Sequence, residues 1–312
     1  MATLIDWHAH HTPPELVAAF EAMGARAPRP DAHDSSDFGK RVAAMDAAGI
    51  ELQLVCQGAG LNVDALGLPA EQALGLVRQS NDLIAERVAP YPDRLFAVAG
   101  VTYADPEGSV AEIERMAARG ARAVLMYARP DQVSSPGTEV VFAKAAASGL
   151  PIFLHGGGAR PPRDAAFERL EDGGQGVAVS VLADAAVADF VVRTIAAGVF
   201  DRYPSLQIVI RSGGGSVPIL LQKLWWKHKG PAGEQRYSDV LREHFLVDTA
   251  NVDARTVGYL VDAMGEERVV FGSDYCGGLG PLDKAVGLVD AQPDPGRLRA
   301  ITERNSRRLL HL

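Results

Sequence analysis

The sequence has few cysteines, no long apolar run and no excess of basic residues. Its two cysteines, Cys56 and Cys276, lie far apart without Cys-x-x-Cys spacing, which excludes a disulfide framework and fits a reducing cytoplasm. No apolar stretch approaches the roughly 18 residues of a membrane span, and the first residues lack the pattern of a signal peptide. The formal net charge of −8 excludes the basic footprint of a nucleic-acid-binding protein. We therefore expect a soluble cytoplasmic protein that binds neither nucleic acid nor membrane.

The apolar residues form eight short runs that alternate with stretches of helical periodicity. Runs that are apolar nearly throughout are typical of parallel strands buried on both faces, so eight strand–helix repeats predict a (β/α)8 TIM barrel. The predicted strands are Leu4–His10, Leu52–Gln57, Leu95–Val101, Ala123–Tyr127, Pro151–Gly156, Leu206–Ser212, Phe245–Ala250 and Arg268–Asp274. Helices are predicted over Asp37–Ala48, Ala70–Ala89, Pro106–Arg119, Thr138–Ser148, Val181–Gly198 and Ala254–Met264. The length of 312 residues suits one such barrel, so we expect residues 1–312 to form a single domain.

Residues that commonly ligate metals stand where several of these strands end. The first strand ends in His8 and His10, whose side chains at i and i+2 point to the same face. His155 ends the fifth strand, and Asp274 ends the eighth, which adjoins the first in a closed barrel. Three imidazoles and one carboxylate predict a mononuclear divalent-metal site completed by water. The alternatives are a hydrogen-bonded core histidine at position 155 and a helix N-cap at Asp274.

Several longer motifs are spread over essentially the whole chain. They are Ile5-Asp6-x-His8-x-His10, Arg41-x-x-x-Met45-Asp46-Ala47-Ala48-Gly49-Ile50, Asn81-Asp82, Tyr91-Pro92-x-Arg94, Leu154-His155, Gly198-Val199-Phe200-Asp201-Arg202-Tyr203-Pro204, Gly213-Gly214-Gly215 and Gly272-Ser273-Asp274-Tyr275. Together they resemble the amidohydrolase-2 branch of the amidohydrolase superfamily, typified by aminocarboxymuconate-semialdehyde decarboxylase. The resemblance implies a (β/α)8 barrel, one zinc or manganese ion, frequent dimers and mostly non-oxidative decarboxylation or related hydrolysis and hydration. It also implies that His8, His10, His155 and Asp274 ligate the metal.

The sixth strand departs from the pattern of this family. The family usually reads Ala-His-Gly-Gly-Gly there and its histidine is catalytic, whereas this chain has Ser212 at that position. Serine exchanges hydrogen bonds but does not take up a proton near neutral pH, so the family mechanism does not carry over intact. Arg211 precedes it where an apolar residue is usual. We expect Arg211 either to bind a substrate carboxylate or to point outward and pair with an acid.

Three further basic residues are candidates for binding an anionic substrate. Arg160 and Arg163 lie in the loop that follows the fifth strand, and the alternative is that they are ordinary solvated loop residues. Lys223 follows the glycine-rich turn, on a helix where the family often places a carboxylate-binding arginine that sometimes reaches across a dimer. Lysine keeps the charge of arginine but loses its bidentate geometry.

We interpret the chain as a metal-dependent lyase that decarboxylates a small aromatic or conjugated carboxylic acid. In this hypothesis one divalent ion, zinc or alternatively manganese, and an arginine hold the substrate, Asp274 is both ligand and proton shuttle, and Ser212 orients water. The alternative enzymes are a lactone or amide hydrolase and a hydratase, in which activated water attacks and Asp274 accepts a proton. A third hypothesis is a binding barrel that keeps the metal but has lost turnover. A homodimer is expected by family analogy.

Overall fold

In the computed structural model, eight parallel strands form a barrel that is surrounded by helices. The structure describes residues 3–23, 37–156, 174–227, 237–277, 282–291 and 294–312. The strands follow one another around the sheet in chain order, as β1 (Leu4–His11), β2 (Ile50–Gln57), β3 (Leu95–Gly100), β4 (Ala123–Tyr127), β5 (Ile152–His155), β6 (Ile208–Ile210), β7 (Phe245–Asp248) and β8 (Val269–Val270). The ring closes where the backbone N–H of Trp7 donates to the carbonyl of Phe271 at 2.9 Å and that of His10 to the carbonyl of Tyr275 at 2.8 Å. The predicted (β/α)8 barrel is confirmed.

Helices follow the strands and cover the outside of the barrel. They are α1 (Pro14–Ala22), α2 (Phe38–Ala48), α3 (Ala70–Val88), α4 (Pro106–Ala118), α5 (Pro136–Ala147), α6 (Gly174–Ala196), α7 (Val199–Arg202), α8 (Val217–Lys227), α9 (Tyr237–His244), α10 (Ala254–Met264), α11 (Leu282–Asp290), α12 (Pro295–Arg299) and α13 (Asn305–Leu310). The sequence sets these bounds locally. At the start of α2 the side chain of Asp37 accepts the backbone N–H of Lys40 at 3.0 Å, and Gly49 ends the helix with a left-handed φ of 71°.

The apolar side chains form two main layers, one inside the barrel and one between the strands and the helices. On β5, for example, Phe153 belongs to the inner cluster, whereas Ile152 and Leu154 belong to the outer one. This alternation follows from the two-residue period of a strand. At the amino-terminal end, the indole N–H of Trp7 donates to Ser306 Oγ at 2.8 Å. Leu309 and Leu310 of α13 belong to the same inner cluster as Trp7, so apolar side chains pack at that end and the carboxyl ends of the strands remain for a site.

β6 and β8 end before the residues predicted for them, and both changes concern candidate site residues. β6 ends at Ile210, two residues before Ser212, and β8 ends at Val270, four residues before Asp274. Ser212 has a φ of 50° and Asp274 a φ of 55°, in the left-handed region that extended backbone does not adopt. Both side chains therefore lie in the turns that follow the strands.

Candidate metal centre and substrate cavity

Three buried histidines meet at the carboxyl end of the barrel. Nε2 of His8 lies 3.0 Å from Nε2 of His10, and one ring nitrogen of each of His8, His10 and His155 lies within 4.8 Å of the others. β1 carries the first two and β5 the third. The structure therefore brings together the three histidines that the sequence singled out.

Each imidazole is oriented by a hydrogen bond through its Nδ1 nitrogen. The partner is an oxygen that only accepts, so Nδ1 carries the proton and Nε2 keeps a lone pair. Three such lone pairs that face one another in a buried site suit a divalent cation, and a hydrogen bond behind each ligand is typical of metal-binding histidines. The residues present therefore fit one metal ion. The pairs are His8 with Asp248 Oδ2 (2.8 Å), His10 with the Gln57 carbonyl (3.0 Å) and His155 with the Gly156 carbonyl (3.2 Å).

The carboxylate of Asp274 lies against two of these rings. Its Oδ1 is 3.0 Å from Nε2 of His10 and 3.3 Å from Nε2 of His8, while its Oδ2 accepts the amide N–H of Asn251 at 2.9 Å. Burial alone would raise the pKa of Asp274, but the neighbouring His8 and His10 rings lower it well below its ordinary value. Asp274 is therefore ionised and presents a charged oxygen to the three imidazoles.

The surroundings shift the pKa values of two of the histidines in opposite directions. Burial lowers the pKa of His155 well below its ordinary value, and the positive charge of Arg211 lowers it further. Burial acts in the same sense on His10, but its contacts with Cys56 and with the carboxylate of Asp274 outweigh burial and raise the pKa of His10 well above its ordinary value. A proton and a metal ion compete for the same Nε2 lone pair, so metal binding at this site is coupled to proton release.

A β-bulge and a buried polar network set the position of β1. The pairing of β1 with β2 shifts register between Asp6 and Ala9. The buried Asp6 accepts the backbone N–H and the hydroxyl of Ser273 at 2.9 and 2.6 Å, and it accepts the side-chain amide of Gln53 at 2.8 Å. Arg41, also buried, donates to Gln53 at 2.7 Å and to the His10 carbonyl at 2.5 Å. The motif residues Asp6 and Arg41 thus fix the backbone next to the histidines.

A cavity of about 710 Å³ opens above the three histidines. Among the described residues, its lining includes all three histidines, Asp274 and Arg211. Left-handed backbone is uncommon for residues other than glycine and gathers at functional sites. Among the described residues of the lining, four that are not glycine have a positive φ, namely Ser212 (φ 50°), Asn251 (φ 60°), Asp274 (φ 55°) and Cys276 (φ 61°).

Arg211 lies in this cavity and is also paired with an acid. Its Nη2 donates to Asp184 Oδ1 at 2.8 Å and its Nη1 to Ser212 Oγ at 3.0 Å, whereas its buried Nε has no partner among the described residues. Gly156 leaves room for it, because a Cβ at that position would lie 2.8 Å from Nε and Nη2 of Arg211. The expected pairing with an acid is therefore present, but inside the cavity and not on an outward-pointing side chain, and binding of a substrate carboxylate by Arg211 stays a prediction.

The other predicted substrate-binding residues are not in the described lining. Arg160 and Arg163 lie outside the described residues. Lys223 is exposed on α8 and is not among the described residues that line the cavity.

None of the helices in the described part of the chain has the length and apolar character needed to cross a bilayer.

Three residues with contacts at the site were not predicted. Asp248 follows the apolar run Phe245–Val247. A carboxylate at the end of an apolar strand is also the signal that identified Asp274, so Asp248 could have been predicted from the sequence. Asn251 and Asp184 offered no comparable signal, because one lies in a turn and the other on a long apolar helix. Their positions depend on how β7 and α6 are placed in the barrel.

Comparisons with known proteins agree with this geometry. Gamma-resorcylate decarboxylase of Rhodococcus jostii (strain RHA1) is 27% identical over 259 residues, covering 75% of this chain and 76% of that protein. 2-Amino-3-carboxymuconate-6-semialdehyde decarboxylase of Dictyostelium discoideum is 26% identical over 222 residues, covering 68% of this chain and 59% of that protein.

Two solved structures share the fold over nearly the full length. 5-Carboxyvanillate decarboxylase from Sphingomonas paucimobilis has a TM-score of 0.83 and 24% identity, covering 100% of both chains. Dihydroxybenzoic acid decarboxylase from Polaromonas sp. JS666, with bound manganese and the inhibitor 2-nitroresorcinol, has a TM-score of 0.81 and 21% identity, covering 100% of this chain and 98% of that one. The family profile described as amidohydrolase (amidohydrolase-2) matches residues 5–312 of this chain. The resemblance inferred from the motifs is thereby confirmed, and the chain belongs to the amidohydrolase family.

Proposed function

We propose that this protein is a metal-dependent lyase that removes carbon dioxide, without oxidation, from a small aromatic carboxylic acid. The observation that carries the proposal is the convergence of three imidazoles, an ionised carboxylate and a cation on one cavity of about 710 Å³. Such a cavity has the size of a small-molecule site. The names of the relatives support the choice of reaction, since they are decarboxylases of carboxylated aromatic or conjugated compounds.

The proposed metal ligands are His8, His10, His155 and Asp274. A divalent ion bound there supplies Lewis-acid stabilisation of the substrate's oxygen groups. Imidazole and carboxylate donors suit both zinc and manganese, and manganese is bound in the structural neighbour from Polaromonas. Elemental analysis of the purified protein distinguishes the two ions.

Arg211 is the proposed anchor for the substrate carboxylate. Its side chain is only 12% exposed, and its Nε–H has no partner among the described residues, so a bound anion would satisfy a buried donor. Its partner Asp184 is 39% exposed and holds the guanidinium in place at 2.8 Å. A planar guanidinium recognises a carboxylate better than an ammonium does.

Asp274 is the proposed proton shuttle. In decarboxylation the bond between the ring carbon and the carboxylate breaks, carbon dioxide leaves, and the electron pair that remains on the ring carbon takes a proton. The lowered pKa of Asp274 means that the carboxylate is ionised before the reaction, so it takes up one proton per turnover from solvent and passes that proton to the ring carbon that carbon dioxide leaves.

The test is to load the purified protein with manganese or zinc and to measure carbon dioxide released from 2,6-dihydroxybenzoate and 5-carboxyvanillate. The same preparations are assayed for hydrolysis of a lactone panel, because Ser212 replaces the family histidine and hydrolysis needs only one proton acceptor. The proposal expects carbon dioxide and the decarboxylated phenol from at least one acid, and no product from a His155→Ala variant. Lactone hydrolysis without carbon dioxide release would instead identify a hydrolase.

We also infer that the protein acts as a cytoplasmic homodimer. Family analogy supports the dimer, and the exposure of Lys223 on α8 suits a position at a subunit interface. Sedimentation velocity of the wild-type protein and of Lys223→Glu tests this, since the substitution is expected to weaken a dimer and to leave a monomer unchanged.

A further inference from the structure

The hydroxyl of Ser212 has only one direction left in which to donate. Its Oγ accepts Nη1–H of Arg211 at 3.0 Å and Nδ2–H of Asn251 at 3.3 Å. A serine oxygen accepts two hydrogen bonds and donates one, and both of these partners are groups that only donate. No described residue accepts the remaining proton of Ser212. Because Ser212 lines the cavity, this proton is available to an acceptor oxygen of a molecule bound there.

The surrounding contacts hold this hydroxyl rigidly next to the proposed metal ligands. The backbone N–H of Ser212 donates to Asp248 Oδ1 at 2.6 Å, and the other oxygen of Asp248 accepts Nδ1–H of His8. Asn251 uses the same amide nitrogen to donate to Asp274 Oδ2 at 2.9 Å. Ser212 is therefore tied to the candidate metal centre through its backbone and through its side chain.

Arg211 is equally restricted. Its Nη2 is held by Asp184, and the space above Gly156 fixes the path of the side chain. Arginine cannot lose a proton in a protein, and the amide of Asn251 does not titrate, so neither donor can become an acceptor for Ser212. The direction of the Ser212 hydrogen bond is therefore the same at all pH values at which the protein is folded.

We propose that Ser212 is a dedicated hydrogen-bond donor to an anionic or carbonyl-type oxygen of the bound aromatic ligand, and that Asn251 and Arg211 are positioning residues that impose this direction. The inference rests on the proposed function for the class of ligand. It also predicts specificity. A ligand with an acceptor oxygen next to Ser212 receives a hydrogen bond from the hydroxyl, whereas a ligand with a donor group there places its own proton against the Ser212 proton and binds more weakly.

The test is a double-mutant cycle on ligand binding, which needs no turnover. The probe is 2-nitroresorcinol, whose nitro oxygens are acceptors and which has no carboxylate to lose. Its dissociation constant is measured by calorimetry with manganese-loaded wild type, Ser212→Ala, Asn251→Asp and the double variant. Metal content per chain and circular dichroism are measured on each protein. Asn251→Asp replaces the amide donor by an acceptor of the same shape, and Asp tolerates left-handed backbone as Asn does.

In the wild-type background, Ser212→Ala is expected to weaken binding about 10- to 100-fold. In the Asn251→Asp background, the Ser212 hydroxyl donates to the new carboxylate, so the same Ser212→Ala change is expected to alter binding by less than about twofold. Equal losses in both backgrounds, no loss in either, or no binding of 2-nitroresorcinol by the wild type would overturn the inference. If the cycle gives the expected coupling but no acid releases carbon dioxide, the proposed function fails alone.

Discussion

Asp248 accepts a hydrogen bond from Nδ1 of His8 at 2.8 Å, and its second oxygen accepts the backbone N–H of Ser212 at 2.6 Å. One fully buried carboxylate thus orients an imidazole of the candidate metal centre and the turn that carries Ser212. The orientation of His8 and the position of the turn at Ser212 therefore both depend on Asp248, and a substitution of Asp248 is expected to disturb both.

Replacement of Asp248 by Asn is expected to weaken metal binding by about 10- to 100-fold, because the charged acceptor behind His8 is lost. The affinity is measured by competition with a chromogenic chelator. Asp262→Asn is the matched control, since Asp262 is 68% exposed and pairs with Arg297 at the surface. Equal affinities of Asp248→Asn and the control would contradict the role assigned to Asp248.

Replacement of Gly156 by Ala is expected to displace Arg211 and to raise the KM for an aromatic acid more than it lowers kcat. The added Cβ would lie 2.7 Å from Ala183 Cβ and 2.8 Å from Arg211 Nε. Overpacking of this kind costs about 1–3 kcal/mol of folding free energy. Steady-state kinetics and thermal unfolding are measured together.

Gly258→Ala serves as the control for this substitution. Gly258 lies within α10, and a Cβ there meets nothing within 4 Å. This control is expected to stabilise the protein by about 0.5–1 kcal/mol, because glycine is unfavourable inside a helix. If Gly156→Ala behaves like the control, Arg211 does not depend on that space.

Removal of the metal by a chelator is expected to lower the melting temperature, and manganese or zinc is expected to restore it. A ligand at 100 times its dissociation constant stabilises the folded state by about 2.7 kcal/mol. The His155→Ala variant should respond much less to either treatment, because it lacks one of the three converging imidazoles. A chelator effect of the same size in both proteins would place the metal elsewhere.

His244 is expected to make folding stability depend on pH. The ring stacks on Phe200 with centroids 4.3 Å apart and hydrogen-bonds to the carbonyl of Leu206 at 3.1 Å. Burial lowers the pKa of His244 in the folded state. The unfolded chain therefore binds a proton first, so the contribution of His244 is present above about pH 6.5 and is lost as the pH falls through the folded pKa.

The check is the slope of unfolding free energy against pH between about pH 7 and 5. A His244→Phe variant should have a shallower slope than the wild type, whatever its absolute stability. His311→Gln is the control, since His311 is exposed near the chain terminus. An unchanged slope for His244→Phe would mean that this ring does not contribute to the dependence.

The barrel and the meeting of His8, His10, His155 and Asp274 could be predicted because they follow from one strong pattern. Strands buried on both faces must be apolar throughout, so polar residues at their carboxyl ends stand out, and barrel closure brings those ends together. The positions of the three histidines then follow from strand order, whereas Asp274 lies in the turn after β8 and only its proximity to β1 could be predicted.

The details of the cavity could not be predicted in the same way. The left-handed backbone of Ser212 and Asn251 depends on hydrogen bonds to Asp248 and Asp274, which are distant in sequence. The register shift in β1 depends on pairing with β2 and on the network around Asp6. The direction of Arg211 could not be predicted, because the strand predicted through Ser212 ends at Ile210 and strand alternation does not apply beyond it.

The clearance between Gly156 and Arg211 also constrains the order in which this cavity could have arisen. The guanidinium passes through the space that a side chain at position 156 would fill. A larger residue at 156 leaves no room for Arg211 in this conformation, so we expect glycine at 156 to have preceded arginine at 211 or to have arisen with it. Among related sequences, arginine at 211 should then occur only together with glycine at 156.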